Sequence, residues 1–313
     1  MLGVTDTEPN ALVIVRPLSI SESNIVSTNV TYSEYPAWSN TDTYASGDRV
    51  SVTATNAVYE SAKADNTGNN PTDKNSLYWV RVGPVNKWAA FDSSVSTQTK
   101  NPNEIKFVIF PHSAVNCVAL LNVNDAIEAR VVMRSFNTDD SKIVYDKTID
   151  LSTYSISASW WGFFYGQRFE QNQGLLLDLP NFAECRIELT VTGREKLAVG
   201  NIIIGQNEPF GKGIELGARV GIQDYSRKET NEFGDTVLVK RAFAKRANFD
   251  LMIGKGEVDP LQDYLARIRA EPVLWVGTKE YTSTVLFGFY RNFEIIISYP
   301  TYSMCELQIE GLT

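Results

Sequence analysis

"GLLLDLPNFAECRIELTVTGREKLAVGNIIIG", residues 174–205, sets the fold class of this chain. Short runs rich in Val, Ile and Leu alternate apolar and polar residues, and Asn, Pro and Gly bound the runs. Alternation with a period of two is typical of β-strands with one buried face. The segment therefore predicts antiparallel strands, the last two of which frame a turn at GREKLAVG, residues 193–200.

The same alternation recurs along most of the chain and predicts a mainly β protein. Runs of this kind are RVSVTA (49–54), IKFVIF (105–110), ARVVMRSF (129–136), TVLVKRAF (236–243) and CELQIEG (305–311). One helix is predicted near residues 259–270, where Asp259 fits the N-cap and Pro260 the first turn. The helix should end before Pro272.

The length of 313 residues predicts two or three domains, each with its own core. We expect a lead-in strand in residues 1–30 and a small twisted β module in residues 31–85. A jelly-roll-like β-sandwich should follow in residues 86–206. Residues 207–313 should form a C-terminal β-rich assembly domain that carries the helix.

Charge and cysteine content narrow the classes of partner. With 37 acidic and 29 basic residues and a pI near 4.9, the chain should repel a phosphate backbone, so we expect no nucleic-acid partner. Three widely spaced cysteines predict buried thiols rather than disulfides or a zinc site; they are Cys117, Cys185 and Cys305. The first residues do not resemble a signal peptide, and no window is apolar enough for a membrane helix. We expect a soluble protein, made in a reducing compartment, without membrane insertion.

Residues 31–85 hold few aliphatic side chains, so a handful of aromatic rings must supply most of their core. Trp38, Tyr44, Tyr59 and Trp79 are the candidates. The alternative is a flat platform on which sugar rings stack. In that case Trp38, Tyr44 and Tyr59 bind the sugar, and Trp79 stays inside.

The spacing Trp-x5-Tyr-x2-Gly-Asp-x-Val, residues 38–50, resembles that of the small chitin- and cellulose-binding modules of bacterial glycosidases. Tyr59, Pro71 and Trp79 continue the likeness. It implies a small twisted β-sheet with a glycan-binding face. Where that family has exposed tryptophans, residues 60–70 read ESAKADNTGNN, without an aromatic. Sugar binding and a purely structural or docking use therefore both stay open for this module.

Within residues 86–206 the order of the strands resembles a galactose-binding-like jelly roll, a sandwich found in many glycan-binding proteins. The loop TYSISASWWGFFYGQRFEQNQG, residues 153–174, places six aromatics within ten residues. They must be buried in the sandwich, buried at a subunit interface, or displayed for a ligand. In the ligand case Trp160, Trp161 and Tyr165 stack on the ligand, and Gln167 and Arg168 form hydrogen bonds with it.

A basic segment, residues 219–246, stands out in the acidic chain. Its seven basic residues are Arg219, Arg227, Lys228, Lys240, Arg241, Lys245 and Arg246. A turn at Gly234 and Asp235 between two strand-like runs predicts a hairpin or an extended arm. The charges form either a solvated face or a contact with copies of the chain or with a neighbouring protein. The contact alternative rests on Arg227, Lys228, Lys240, Arg241, Lys245 and Arg246.

Two motifs together resemble the tail-tip and baseplate-associated proteins of tailed bacteriophages. One is GPVNKWAAFD, residues 83–92, directly after the module; the other is GARVGIQDYSRK, residues 217–228. The resemblance implies a virion tail protein made in the bacterial host cytoplasm. Its partners would be other tail or baseplate proteins, copies of itself in an oligomer, and a host surface glycan.

Enzyme chemistry has little support in the sequence. The single histidine, His112, favours a structural role, and GKGIELG, residues 211–217, lacks the spacing of a phosphate-binding loop. Asp139 and Asp140 lie in a polar turn, where adjacent acids are usually solvated. We expect no enzyme activity, no cofactor and no metal. The leading hypothesis is a structural tail-tip protein; the alternatives are a free-standing lectin and, more weakly, a glycan-degrading enzyme.

Overall fold

The computed structural model describes residues 11–136, 138–152, 154–155, 160–166, 168–215, 217–230, 235–278, 281–297 and 299–312. The mainly β fold is confirmed. Its strands pair in antiparallel fashion, and fourteen of them belong to one continuous sheet. The lead-in segment is described from residue 11 onward.

The strands before residue 85 are β1 (Leu12–Pro17), β2 (Ile25–Thr28), β3 (Thr43–Tyr44), β4 (Arg49–Val52), β5 (Ala57–Ser61), β6 (Asn66–Thr67) and β7 (Trp79–Pro84). The next are β8 (Thr99–Lys100), β9 (Glu104–Ile109), β10 (Cys117–Arg134), β11 (Ile143–Asp150), β12 (Tyr154–Ser155), β13 (Arg168–Phe169) and β14 (Gln173–Leu176). The last are β15 (Arg186–Phe210), β16 (Gly213–Ile214), β17 (Arg219–Asp224), β18 (Arg227–Thr230), β19 (Thr236–Val239), β20 (Phe243–Gly254), β21 (Val273–Val276), β22 (Val285–Ile296) and β23 (Tyr302–Gly311). The α-helices are α1 (Trp160–Tyr165) and α2 (Val258–Arg267), and four short 3₁₀ helices are Glu22–Asn24, Asn86–Phe91, Lys255–Glu257 and Thr282–Thr284.

The module in residues 31–85 consists of a three-stranded sheet, β4-β5-β7, and the short pair β3-β6. Val50 lies opposite Tyr59 in the β4–β5 register. Both side chains enter a small core that also contains Tyr44, Ala57 and Trp79. Few aliphatic side chains take part in this core, so its aromatic rings supply most of the buried area.

A 3₁₀ helix at Asn86–Phe91 joins the module to the sandwich that follows. Trp88 is buried there beside Val58 of the module and Val85. Phe91 contacts Trp88 on one side, with ring centroids 6.0 Å apart, and Phe107 of β9 on the other, at 5.1 Å. The junction motif at residues 83–92 is thus a packed connection between two folded units.

The predicted turn at residues 193–200 is wrong, because β15 runs unbroken from Arg186 to Phe210. It pairs with β10 along most of this length, and the register shifts near Ala126. A Cβ atom on Gly193 would lie 2.5 Å from the Asp125 carbonyl oxygen. Gly193 is therefore needed for close approach at a bend shared by two long strands, rather than for a reversal of the chain.

The bend divides the neighbours of β15 into two groups. Its first part, residues 187–192, also pairs with β9, and its last part, residues 205–210, pairs with β1. The core between these strands is mainly aliphatic; Leu120, Met133 and Leu189 are fully buried in it, together with the aromatic Phe107.

Strand β1 joins the middle of the chain to the C-terminal part. It pairs with β15 on one side and with β21 on the other. The predicted domain boundary at residues 206/207 falls inside β15. An apolar cluster lies between the two halves and includes Val15, Leu121 and Phe287. The sandwich and the C-terminal part thus share one sheet.

The C-terminal part continues this sheet in the order β21-β22-β23-β20-β16. The predicted helix is confirmed as α2, but the predicted N-cap is wrong: Asp259 lies within the first turn, because the 3₁₀ helix at Lys255–Glu257 leads directly into α2 and places the N-cap at Glu257. Leu261 and Leu265 of α2, and Ile268 just after it, enter the second large core. Trp275, fully buried in that core, donates a hydrogen bond from Nε1 to the Gly288 carbonyl oxygen at 3.1 Å.

The three cysteines are buried and free, as predicted. Burial raises the pKa of the Cys185 and Cys305 thiols to about 11. In the part of the chain that the structure describes, no helix is long and apolar enough to cross a bilayer.

Candidate functional site

The aromatic helix, α1 with its side chains Trp160, Trp161, Phe164 and Tyr165, is the first candidate site. These side chains are exposed by 76%, 71%, 53% and 78%, respectively. The rings of Trp160 and Phe164 lie 4.6 Å apart, and those of Trp161 and Tyr165 lie 5.0 Å apart. Both are i, i+4 pairs on the helix surface. The rings thus contact each other while large parts of them face solvent.

This exposure decides one of the three alternatives for the aromatic loop. The alternative in which these four side chains are buried within the sandwich is wrong. The two alternatives that remain are burial at a subunit interface and display for a ligand. The physical reason lies in the flanking segments, because β12 and β13 pair with each other in a separate two-stranded sheet.

Two polar residues were predicted to assist the stacking rings. Arg168 lies on β13 opposite Ser155. Gln167 lies outside the residues that the structure describes. Of the five residues predicted to bind a ligand in this loop, the structure places three, Trp160, Trp161 and Tyr165, together on α1.

The aromatic rings of the module are arranged in the opposite way. Tyr44, Tyr59 and Trp79 are buried, and Trp38 packs against them half-buried. The Tyr44 and Trp79 rings meet edge to face at 5.1 Å. The Tyr44 hydroxyl accepts a hydrogen bond from Ser39 N at 2.7 Å, and the Tyr59 hydroxyl donates to Thr55 Oγ1 at 3.2 Å.

Buried rings cannot offer a face to a sugar. The position of Tyr44 and Tyr59 supports the alternative in which they form the core of the module, together with Trp79. The three-ring platform of Trp38, Tyr44 and Tyr59 is not present on the module surface.

The β-arm, residues 219–246, is the second candidate site. β17 pairs with the start of β20, from Arg219 opposite Asn248 to Asp224 opposite Phe243. Farther out, β18 pairs with β19. The two ladders belong to separate sheets, and a hydrogen bond from Tyr225 N to the Ala242 carbonyl oxygen, 3.3 Å long, lies between them. These two antiparallel pairs agree with the predicted hairpin or extended arm. Gly234 of the predicted turn lies outside the described residues, whereas Asp235 lies within them.

The β-arm exposes apolar side chains as well as charge. Among the residues of the arm that the structure describes, seven large ones are exposed: Val220, Ile222, Tyr225, Val237, Leu238, Val239 and Phe243. Leu238 is the most open of these, at 76%. This exposed apolar surface was not predicted from the sequence, although the three successive apolar residues 237–239 break the alternation expected of a strand with one buried face.

The six basic residues of the contact hypothesis divide among three places. Arg227, Lys228, Lys240 and Arg241 are exposed along the outer part of the β-arm. The structure therefore brings these four together, as the contact hypothesis requires.

Arg246 lies on the outer face of the sheet, at the root of the β-arm. Arg246 and Arg291 both approach the Glu310 carboxylate, at 3.9 Å and 3.3 Å. The Tyr225 hydroxyl donates to the same carboxylate at 3.0 Å. Arg246 thus helps to fasten the arm to β23, in addition to any role in a contact.

Lys245, next in sequence, points the opposite way. It lines a cavity between the two halves of the large sheet, together with Leu121, Gln173 and Phe287. Burial lowers the pKa of the Lys245 ammonium. Lys245 therefore does not belong to the exposed charge of the β-arm, because its side chain enters the interior.

Two of the residues considered for catalysis, His112 and Asp139, form contacts with neighbouring parts of the fold. His112 Nε2 lies 3.3 Å from the Ser23 carbonyl oxygen, and its ring contacts that of Phe110. Asp139 pairs with Arg186 at 2.5 Å. Among the described residues, no group of three or more His, Cys, Asp or Glu side chains is placed to hold a metal ion.

The chain was compared with protein-family models, with curated proteins and with solved structures, and none of them matches.

Proposed function

We propose that this protein is a structural component of a tailed-phage tail tip or baseplate, which assembles with its own copies and with other tail proteins. The observation that carries the proposal is that the hydrophobic cores of the chain are well buried, whereas two elements, the aromatic helix and the β-arm, leave large apolar side chains exposed. The aromatic helix and the β-arm expose large apolar side chains that the fold of one chain leaves in water. Exposed patches of this kind mark interaction surfaces.

The energetics of the aromatic helix favour association. Burial of one large apolar side chain contributes about 1.5–3 kcal/mol. The helix offers four such side chains on one short element, two of them Trp and one Tyr. Trp and Tyr are enriched among the residues that dominate binding energy at protein interfaces.

The β-arm adds complementary charge. Arg227, Lys228, Lys240 and Arg241 are exposed in a chain whose net charge is −8. An acidic surface of a second copy, or of a neighbour of similar composition, would attract the arm and orient it. The exposed apolar residues between these charges would then be buried in the contact.

Contact with a host surface glycan is the second function that we propose, for the aromatic helix alone. Trp160, Trp161 and Tyr165 are largely exposed, and a sugar-stacking site requires exposed aromatic rings. In the tail this contact would take place during adsorption; in the alternative, a free-standing lectin, it would be the whole function. We propose no enzyme activity, and a location in the virion after synthesis in the host cytoplasm.

The proposal is tested by replacing the exposed side chains and measuring assembly. The variants are Trp160→Ser with Trp161→Ser, and Leu238→Ser, and the matched control is Leu77→Ser. Leu77 is 74% exposed, as open as the tested side chains, but lies in the module. Light scattering and analytical ultracentrifugation should show an oligomer for the wild type and the control, and smaller species for the helix and arm variants.

Two further measurements separate the candidates. Antibody-labelled electron micrographs of purified particles should place this chain at the tail end. A wild-type chain that stays monomeric, is absent from particles, and binds glycans through Trp160 and Trp161 would favour the lectin and contradict the tail-tip proposal.

A further inference from the structure

A cavity of about 260 Å³ lies where the two halves of the large sheet meet. Its lining is mainly apolar and includes Leu121 of β10, Phe243 of β20, and Val285 and Phe287 of β22. Asn122, Asn172 and Gln173 add amide groups, and Lys245 adds a cation. An apolar pocket with a few convergent polar groups is the usual form of a small-molecule site.

The wall of the cavity is held in place by close backbone packing. Asn122 has a left-handed backbone, with φ of 52°, and its Nδ2 donates to the Val95 carbonyl oxygen at 2.7 Å. A Cβ atom on Gly200 would lie 2.7 Å from Asn122 Cβ and 2.9 Å from the Val95 oxygen. The shape of the cavity is therefore built into the fold.

Lys245 determines the chemistry of the cavity. The side-chain nitrogen of Gln173 donates a hydrogen bond to the Thr282 carbonyl oxygen. In this orientation the side-chain oxygen of Gln173 accepts a hydrogen bond from Lys245 Nζ at 2.6 Å. Among the residues that the structure describes, no carboxylate forms an ion pair with Lys245. Lys245 is partly buried, and an ammonium that has lost part of its hydration to a neutral partner is less stable than one in water; an anion beside it offsets that cost.

From this geometry we propose that the cavity binds a small organic acid, with its carboxylate against Lys245 and its hydrocarbon part against Leu121, Val285 and Phe287. The volume, about 260 Å³, lies just below the usual range for small-molecule sites, about 300–1,000 Å³. The ligand is therefore a short one, of the size of a medium-chain fatty acid. The site needs no neighbouring subunit, so it stands independently of the assembly proposed above.

The test compares octanoate with 1-octanol, which has the same chain length without the charge. Isothermal titration calorimetry of the full chain should show octanoate binding at least tenfold more tightly than octanol. Lys245→Met should abolish this preference and leave octanol binding unchanged. The matched control is Lys196→Met, an exposed lysine on β15, which should retain the wild-type preference.

A second variant fills the cavity from its rim. Ser96 is exposed and lines the cavity, so Ser96→Trp should weaken the binding of both probes without altering the core. Octanoate should also raise the melting temperature of the wild type and not that of Lys245→Met. The proposal is overturned if octanoate does not bind, if it binds no better than octanol, or if Lys245→Met keeps the preference.

Discussion

The module and the aromatic helix are both rich in aromatic residues, yet they use them in opposite ways. In the module, Tyr44, Tyr59 and Trp79 come from separate strands, and their rings meet in one small core. In the helix, Trp160 and Trp161 are adjacent, and both stay exposed. The difference shows that spacing relative to the secondary structure, rather than aromatic density, decides whether rings are buried.

The largest expected effect that tests this comparison is in the module. Trp79→Ala should lower the free energy of unfolding of the module by about 3–5 kcal/mol. The substitution removes a large ring, and the small core cannot rearrange enough to fill the resulting cavity. The hydrogen bond from Trp79 Nε1 to the Asn69 carbonyl oxygen, 2.9 Å long, is lost as well. Hydrogen exchange of the amides of β4, β5 and β7 measures the loss.

Trp38→Ala is the matched control for this experiment. Trp38 belongs to the same cluster but is only half-buried, so its replacement should cost less than that of Trp79. Equal costs for the two variants, or unchanged exchange in Trp79→Ala, would mean that Trp79 is not the centre of the core.

The sequence predicted the regular parts of the fold because their signals are local. The period of two identified the strands, and Pro260 with the apolar stripe that follows it identified α2, although the helix begins one residue before the predicted N-cap, Asp259. The bend in β15 carried no such signal. From sequence alone, Gly193 predicts a turn. In the structure a glycine is needed at this position because the Asp125 carbonyl oxygen, from a strand far away in sequence, comes too close for a Cβ atom.

The candidate sites show the same limit. Six basic residues were predicted to share a contact because they lie close together in sequence, and the structure leaves four of them exposed along the outer part of the β-arm. The cavity beside Lys245 was not predicted, since its lining comes from several distant segments, among them Leu121, Gln173 and Phe287. Such a site exists only after β1 has joined the two halves of the sheet.

A smaller effect is expected from one hydroxyl group of the module core. Tyr44→Phe should cost about 1 kcal/mol, the usual net contribution of a hydrogen bond, because Ser39 N then loses its acceptor. Tyr165→Phe on the aromatic helix is the control. Tyr165 is 78% exposed, so water replaces its hydroxyl contacts and stability should not change. Urea unfolding of both variants gives the comparison, and an equal loss in the two would contradict the assigned difference in burial.

The smallest effect should come from removal of a whole ring from the aromatic helix. In Trp161→Ala, the contact with the Tyr165 ring is lost, and an i, i+4 pair contributes about 0.2–0.5 kcal/mol. Alanine has the highest helix propensity, which offsets much of this loss. The free energy of unfolding should therefore stay within about 0.5 kcal/mol of the wild type in thermal or urea unfolding, the range of ordinary surface substitutions. A destabilisation as large as that of Trp79→Ala would show that Trp161 packs inside the chain in solution, and the contrast between the two regions, together with the proposed docking role of the helix, would then fail.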